Sequence, residues 1–124
     1  MREFKLTKKL LRKIYKEYNN DFLHLKITPR FKIKHLKPHN RGMIVCYDAL
    51  EDEPARVTIT VSSRPGENPT IGNIACTVVH EMIHQYQFEN SLPVEHDEEF
   101  MHWTDSIRAY YGIDIKYSPS TSSV

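Results

Sequence analysis

The stretch NPTIGNIACTVVHEMIH, residues 68–84, decides how the rest of this chain is read. Asn68 before Pro69 is a helix-start signal, with Asn as the cap and Pro at the first helical position, where its missing N–H is no loss. Ile71, Ile74, Ala75, Val78, Met82 and Ile83 then recur at helical spacing as one broad apolar stripe. The spacing predicts a helix reaching about Glu89 or Asn90, apolar enough to form the centre of the fold.

On that helix His80 and His84 are four residues apart, so they project from one side about one turn apart. Two imidazoles at that spacing can reach one metal ion. Glu81, beside them, can act on a water held there without being a ligand itself. Zinc brings the pKa of such a water towards neutrality and a carboxylate takes its proton, which is the physical content of the HExxH pattern. With 7 His and 10 Glu in 124 residues, a chance match to this pattern is expected only about 0.03 times. That rarity, and the flanking Val78, Val79, Met82 and Ile83, outweigh the alternative of two solvated surface histidines. The residues therefore read as a zinc hydrolase with Glu81 as the catalytic group.

A catalytic zinc needs a third protein ligand and an open position. Downstream candidates are His96, His102 and the carboxylates of Glu95, Asp97, Glu98 and Glu99. A final helix is predicted over Asp97 to Tyr111, with acidic residues in its first turn, where the helix dipole favours them, and Gly112 placed to end it. His96 follows a turn around Pro93 and is in phase with Phe100, Trp103 and Ile107, the inward stripe of that helix. His102 is out of phase. His96 is thus the favoured ligand. Tyr110, Tyr111, Arg108 and His102 are candidates for stabilising an oxyanion or contacting substrate, although Tyr111 reads rather as core. Asp105 or Glu99 are candidates to accept the second N–H of a ligand histidine.

Towards the N-terminus, Thr7 can cap a helix running to Tyr18, with Leu10, Leu11, Ile14, Tyr15 and Tyr18 as its apolar stripe, and Asn19-Asn20-Asp21 as its stop. Extended segments follow. His24–Ile27 and Phe31–Lys34 alternate with period two, Met43–Tyr47 is a short apolar run, and Arg56–Val61 alternates strictly. Three or four strands in succession predict a small mixed or antiparallel sheet, and the fold class is α+β. Ile113–Tyr117 reads as a further short edge strand. One domain over residues 1–117 and a disordered polar tail over 118–124 complete the expected organisation.

Charge is unevenly placed. Residues 1–41 hold 13 Lys/Arg against 3 Asp/Glu, and residues 42–124 hold 4 against 13. Such asymmetry marks either a surface for polyanions or two halves that neutralise each other on packing. Lys8, Lys9, Arg12 and Lys13 are the candidate DNA contacts, against the default of a solvated helix face. No apolar run approaches the length of a membrane span, and the charged start is not followed by the apolar stretch of a signal peptide, so a cytoplasmic protein without a membrane partner is expected. Cys46 and Cys76 make neither a disulfide framework nor a zinc knuckle.

His80-Glu81-Met82-Ile83-His84, then eleven residues, then His96-Asp97-Glu98-Glu99-Phe100 resembles the SprT-like zinc metallopeptidase domain, in which HExxH is followed by a histidine in an HGxEF or HGxEW setting. Glu99 and Phe100 match the last two positions, and Asp97 stands where the family has Gly. Tyr18–Leu23 resembles the family's entry segment before its first strand. The resemblance implies one zinc ion on His80, His84 and His96, Glu81 as general base, a zincin-like fold with the sheet packed on the metal helix, and a protein or peptide substrate. Members include proteases that act on DNA-associated proteins. Many carry a C-terminal ribbon of four cysteines, which this sequence lacks, leaving the basic N-terminal region as the visible DNA-binding candidate. Two other readings stay open: a DNA-binding module with a structural or inactive zinc site, and a hydrolase of a non-peptide, cell-wall amide.

Overall fold

The computed structural model describes residues 5–113 and 115. Its elements are helix α1 (Lys8–Tyr18), strands β1 (Arg30–Lys34), β2 (Gly42–Tyr47) and β3 (Arg56–Ser62), and helices α2 (Ile71–Glu89) and α3 (Glu98–Tyr111). The fold is α+β. Its sheet is three-stranded in the order β1-β3-β2, with β1 parallel and β2 antiparallel to β3. The predicted edge strand at Ile113–Tyr117 falls largely on residues outside those described, and the tail 118–124 falls there entirely.

The central strand reads as central. Val57, Ile59 and Val61 are buried, and so are Thr60 and Ser62 on the opposite face at its C-terminal end, as expected of a strand covered from both sides. Ile59 pairs with Phe31 of β1 and with Ile44 of β2. One hydrophobic core joins these residues to α1 through Leu11, Ile14, Tyr15 and Tyr18. Tyr15 meets Phe31 edge to face, with centroids 5.7 Å apart. The cost of ordering these elements is met mainly by this burial, at roughly 1.5–3 kcal/mol for each large apolar side chain.

Several local expectations are corrected. α2 begins two residues later than the Asn-Pro signal implied. Its cap is Thr70, whose Oγ1 accepts from the Asn73 N–H at 3.1 Å. Asn68 is buried and does other work: its Nδ2 donates to the carbonyls of Arg41 and Ser62, and its Oδ1 accepts from the Thr77 hydroxyl. It therefore ties the entry of β2 and the exit of β3 to α2. Ile71, assigned to the inward stripe, is 49% exposed because it sits on the first helical turn, beyond the sheet.

α1 ends at Tyr18 with Asn19 as its C-cap, as expected, but the chain does not leave the helical path there. It widens into one π turn, Asn19–Leu23, closed by the His24 N–H bonding to the Asn19 carbonyl at 3.0 Å, and ends with His24 in the left-handed region at φ 51°. His24–Ile27, predicted as a strand, pairs with no strand among the described residues. Side chains take the place of a ladder there. The Glu89 carboxylate accepts from the N–H groups of Lys26 and Ile27, and Gln85 donates to the Ile27 carbonyl at 2.7 Å. Asn19 bonds Leu25 through both its amide atoms. Alternation of side chains is present, but the backbone groups are satisfied by helix side chains rather than by a strand.

β2 is an edge strand that approaches α2 closely at Gly42. A Cβ on Gly42 would lie 2.6 Å from Thr77 Cγ2, 3.0 Å from the Thr60 carbonyl oxygen and 3.4 Å from Glu81 Oε2. Only a residue without a side chain fits between sheet and helix here. Gly42→Ala should destabilise the protein by about 1–3 kcal/mol, the cost of overpacking a closed contact. The urea midpoint measures it, and an unchanged midpoint would show that the contact is loose.

Candidate metal centre

α2 is buried nearly all round in its second half. Val78, Val79, Met82 and Ile83 are fully buried, and so are Glu81 and His84, with His80 at 1% exposure. Placing imidazoles and a carboxylate in that setting is costly unless each has a polar or charged partner. The chain supplies partners by reversing direction at the end of the helix.

The reversal is a Schellman turn. Ser91 adopts the left-handed conformation at φ 56°, its N–H bonds to the Phe88 carbonyl, and the Leu92 N–H bonds to the Gln87 carbonyl at 2.8 Å. The segment beyond Pro93 returns alongside α2 and delivers His96. Its Nε2 lies 3.1 Å from Nε2 of His84 and 3.2 Å from Nε2 of His80. The ligand atoms of all three histidines fall within 4.8 Å of one another. Three histidines so close together can bind a metal ion.

Phe100 backs this group. Its ring centroid is 4.9 Å from those of His80 and His84 and 4.8 Å from that of His96, and it is fully buried. It comes from the first turn of α3, which Asp97 caps by accepting from the Phe100 N–H at 3.1 Å. Asp97 has φ −96°, an ordinary L-residue conformation, so the backbone needs no glycine there. Burial holds His84 well below the ordinary histidine range, at about 4, and lowers His96 as well. Histidines kept neutral by burial present the lone pairs that a cation needs.

The partner of His84 Nδ1 is not one of the residues expected from sequence. Gln87, fully buried, lies 2.8 Å from Nδ1 of His84 through its Oε1, and its Nε2 donates to the Glu95 carbonyl at 2.8 Å and to Asp97 Oδ1 at 3.1 Å. Asp105 is exposed on α3. A signal for Gln87 was present, since it stands three residues after His84 and hence on the same helix face, but an amide in a polar stretch does not stand out.

The remaining candidates lie on α3 and α1. His102 is exposed and meets Trp103 edge to face. Arg108 is exposed and lends its carbonyl to the Gly112 cap. Tyr110 is 71% exposed and meets Phe22 edge to face, twelve residues along α3 from its start, about 18 Å at the helical rise. Tyr111 donates its hydroxyl to Asp21 and packs on Tyr18, joining α3 to the end of α1. Lys8, Lys9, Arg12 and Lys13 are all exposed on α1. Two surface depressions, of about 270 and 330 Å³, include none of the three histidines; Arg12 and Lys16 line the first, Arg30 and Arg56 the second. Burial pushes the Cys46 thiol up to about 11, so it is protonated at neutral pH. No described helix is long and apolar enough to cross a membrane.

The buried His84 sets a pH dependence. Its folded pKa is depressed, so between about 6.5 and 4 the unfolded chain binds more protons than the native one. Stability of the protein in chelator should therefore fall as pH falls through that window, by about 3 kcal/mol for this group in full. Urea midpoints across the window check this, and the slope should flatten in His84→Gln.

Among curated proteins none matches the chain. The family model described as "SprT-like family" matches residues 8–121, nearly the whole chain, and spans α1, the sheet, both motif histidines and His96. The chain belongs to the SprT-like family.

Proposed function

We propose that this protein is a zinc-dependent peptidase, with His80, His84 and His96 as the ligands and Glu81 as the general base. The observation that carries the reading is the convergence of three imidazole Nε2 atoms beside a fully buried glutamate. Nitrogens about 2.0–2.1 Å from a tetrahedral zinc are separated by about 3.3–3.4 Å, close to the 3.1 and 3.2 Å found here. The donor set fits zinc with one position left over for water or substrate. When bound, zinc supplies Lewis acidity, which activates water and polarises a carbonyl.

The residues of the chain then have defined tasks. Glu81, next to His80 on the helix, takes the proton from the attacking water at a carboxylate oxygen and delivers it to the departing amine nitrogen. Phe100 closes the inner side of the histidine group against solvent, which strengthens electrostatic interactions within it. Gln87 and the capped start of α3 hold His84 and His96 in place. A protein or peptide is the substrate class that the family and this machinery favour; a cell-wall amide is the competing class.

Purified protein should hold one zinc per chain and cleave an unfolded protein. Glu81→Gln should keep the zinc and lose cleavage by about 10²–10⁴-fold. His96→Ala should lose zinc, and His102→Ala should keep it. Cleavage equal in wild type and Glu81→Gln would sink the peptidase reading, and cleavage of peptidoglycan alone would move it to the cell-wall amide.

A second reading, contact with DNA or another polyanion, is favoured by the exposed cationic face of α1 and by Arg12 and Lys16 at the edge of a depression. It would direct cleavage to DNA-associated proteins. Neutralising Lys8, Lys9, Arg12 and Lys13 together should weaken binding and reduce the dependence of log K on log salt by about 3–4. Binding insensitive to salt would remove this reading.

A further inference from the structure

We infer that Gln87 is the positioning residue of this metal centre, fixing the tautomer of His84 and the placement of His96 through a single side-chain amide. The inference rests on the metal-centre reading above and adds to it a residue outside the HExxH pattern.

The orientation of the amide follows from its partners. On one side it meets the Glu95 carbonyl at 2.8 Å and Asp97 Oδ1 at 3.1 Å. A carbonyl and a carboxylate only accept, so the amide must turn its NH₂ to them. Its oxygen is then committed to the other side, 2.8 Å from Nδ1 of His84. An oxygen facing a ring nitrogen at that distance requires Nδ1 to carry the proton. A neutral imidazole has only one, so Nε2 of His84 is left with its lone pair directed at Nε2 of His96, 3.1 Å away. The helix end thus sets which nitrogen of His84 is the donor atom before any cation arrives.

The same amide holds the third histidine. Glu95 and Asp97, its two acceptors, are the neighbours of His96 on either side. The main-chain carbonyl of Gln87 also accepts from Leu92, which closes the turn that starts the return. Asp97 in turn caps α3 and seats Phe100 against all three rings. One residue, with no exposed surface, therefore couples the helix carrying two ligands to the loop carrying the third. Outer partners of metal-bound histidines typically change metal affinity by about 10–100-fold when removed, and Gln87 is an outer partner to one ligand and a clamp on another.

The test uses three forms of the whole chain: wild type, Gln87→Met and Gln87→Glu. Methionine keeps the volume and removes every polar contact. Glutamate still accepts from His84 but cannot donate to Glu95 or Asp97. Zinc affinity is read by competition with a chelator, and the His84 tautomer by ¹⁵N NMR of the imidazoles in metal-free protein at neutral pH. We expect the Nδ1–H form of His84 in wild type and in Gln87→Glu, and a mixture of tautomers in Gln87→Met. Zinc affinity should fall about 10–100-fold in Gln87→Met. It should fall in Gln87→Glu also, where the bond from His84 is kept and the two bonds donated to Glu95 and Asp97 are lost. Wild-type affinity in Gln87→Met, or an Nε2–H His84 in the wild-type protein, would overturn the inference. Should Gln87→Met fail to fold, the wild-type tautomer and the zinc affinity of Gln87→Glu still decide it. A wild-type chain that binds no zinc would defeat the metal reading instead, and the tautomer would still decide whether Gln87 orients His84.

Discussion

Five polar side chains on one helix, His80, Glu81, His84, Gln85 and Gln87, are buried to 1% exposure or less, and the rest of the structure answers to that constraint. Polar groups taken out of water must find partners or lose free energy comparable to a hydrogen bond each. Some partners come from side chains of α2 itself, as Gln87 does for His84 and Glu89 for Gln85. The others are brought by chain on either side: the segment after Asn90 supplies His96, Glu95 and Asp97, and α1 and the chain after it supply Tyr15 and the Ile27 carbonyl.

Both ends of α2 are fixed by side chains rather than by packing alone. At the start, Asn68 and Thr77 bind the helix to the carbonyls that flank β2 and β3, and Gly42 lets the strand come within contact of Glu81. At the far end, Tyr15 donates to Gln85, Gln85 donates to Ile27 and Glu89, and Glu89 takes two backbone N–H groups. Burial pushes the Tyr15 hydroxyl upward in pKa, so it stays a donor throughout the working range. A helix anchored in this way cannot rotate about its axis, and rotation is the motion that would separate His80 and His84 from His96.

The two charged halves of the chain do different things. α1 turns its apolar stripe to α2 and β1 and leaves Lys8, Lys9, Arg12, Lys13 and Lys16 outward. Several acidic residues have structural tasks: in the second half Asp97 caps a helix and Glu89 replaces a strand ladder, and in the basic half Asp21 receives Tyr111. Net charge alone does not separate a charge used inside the fold from one offered to a partner. Hydrogen bonds and exposure make that distinction.

What the sequence by itself determined is what depends on periodicity and near-neighbour spacing. Helices α1 and α3, the caps Thr7 and Gly112, the extended runs Phe31–Lys34, Met43–Tyr47 and Arg56–Val61, and the pairing of His80 with His84 are all short-range matters, tied to 3.6- and 2-residue repeats and to local capping. His96 was legible because phase along a helix says which side a residue faces, even one residue before the cap. Tertiary structure alone decided the parallel pairing of β1 with β3, because strand order is not written in alternation. It also decided the fate of His24–Ile27, whose backbone is held by Glu89 and Gln85 from more than fifty residues away. Asn68, read as a cap, became a bridge between three segments, and Gln87, unremarked in its stretch, became the link between two histidines. An amide has no spacing rule that announces it. Its role is set by which donors and acceptors the folded chain brings to its two ends.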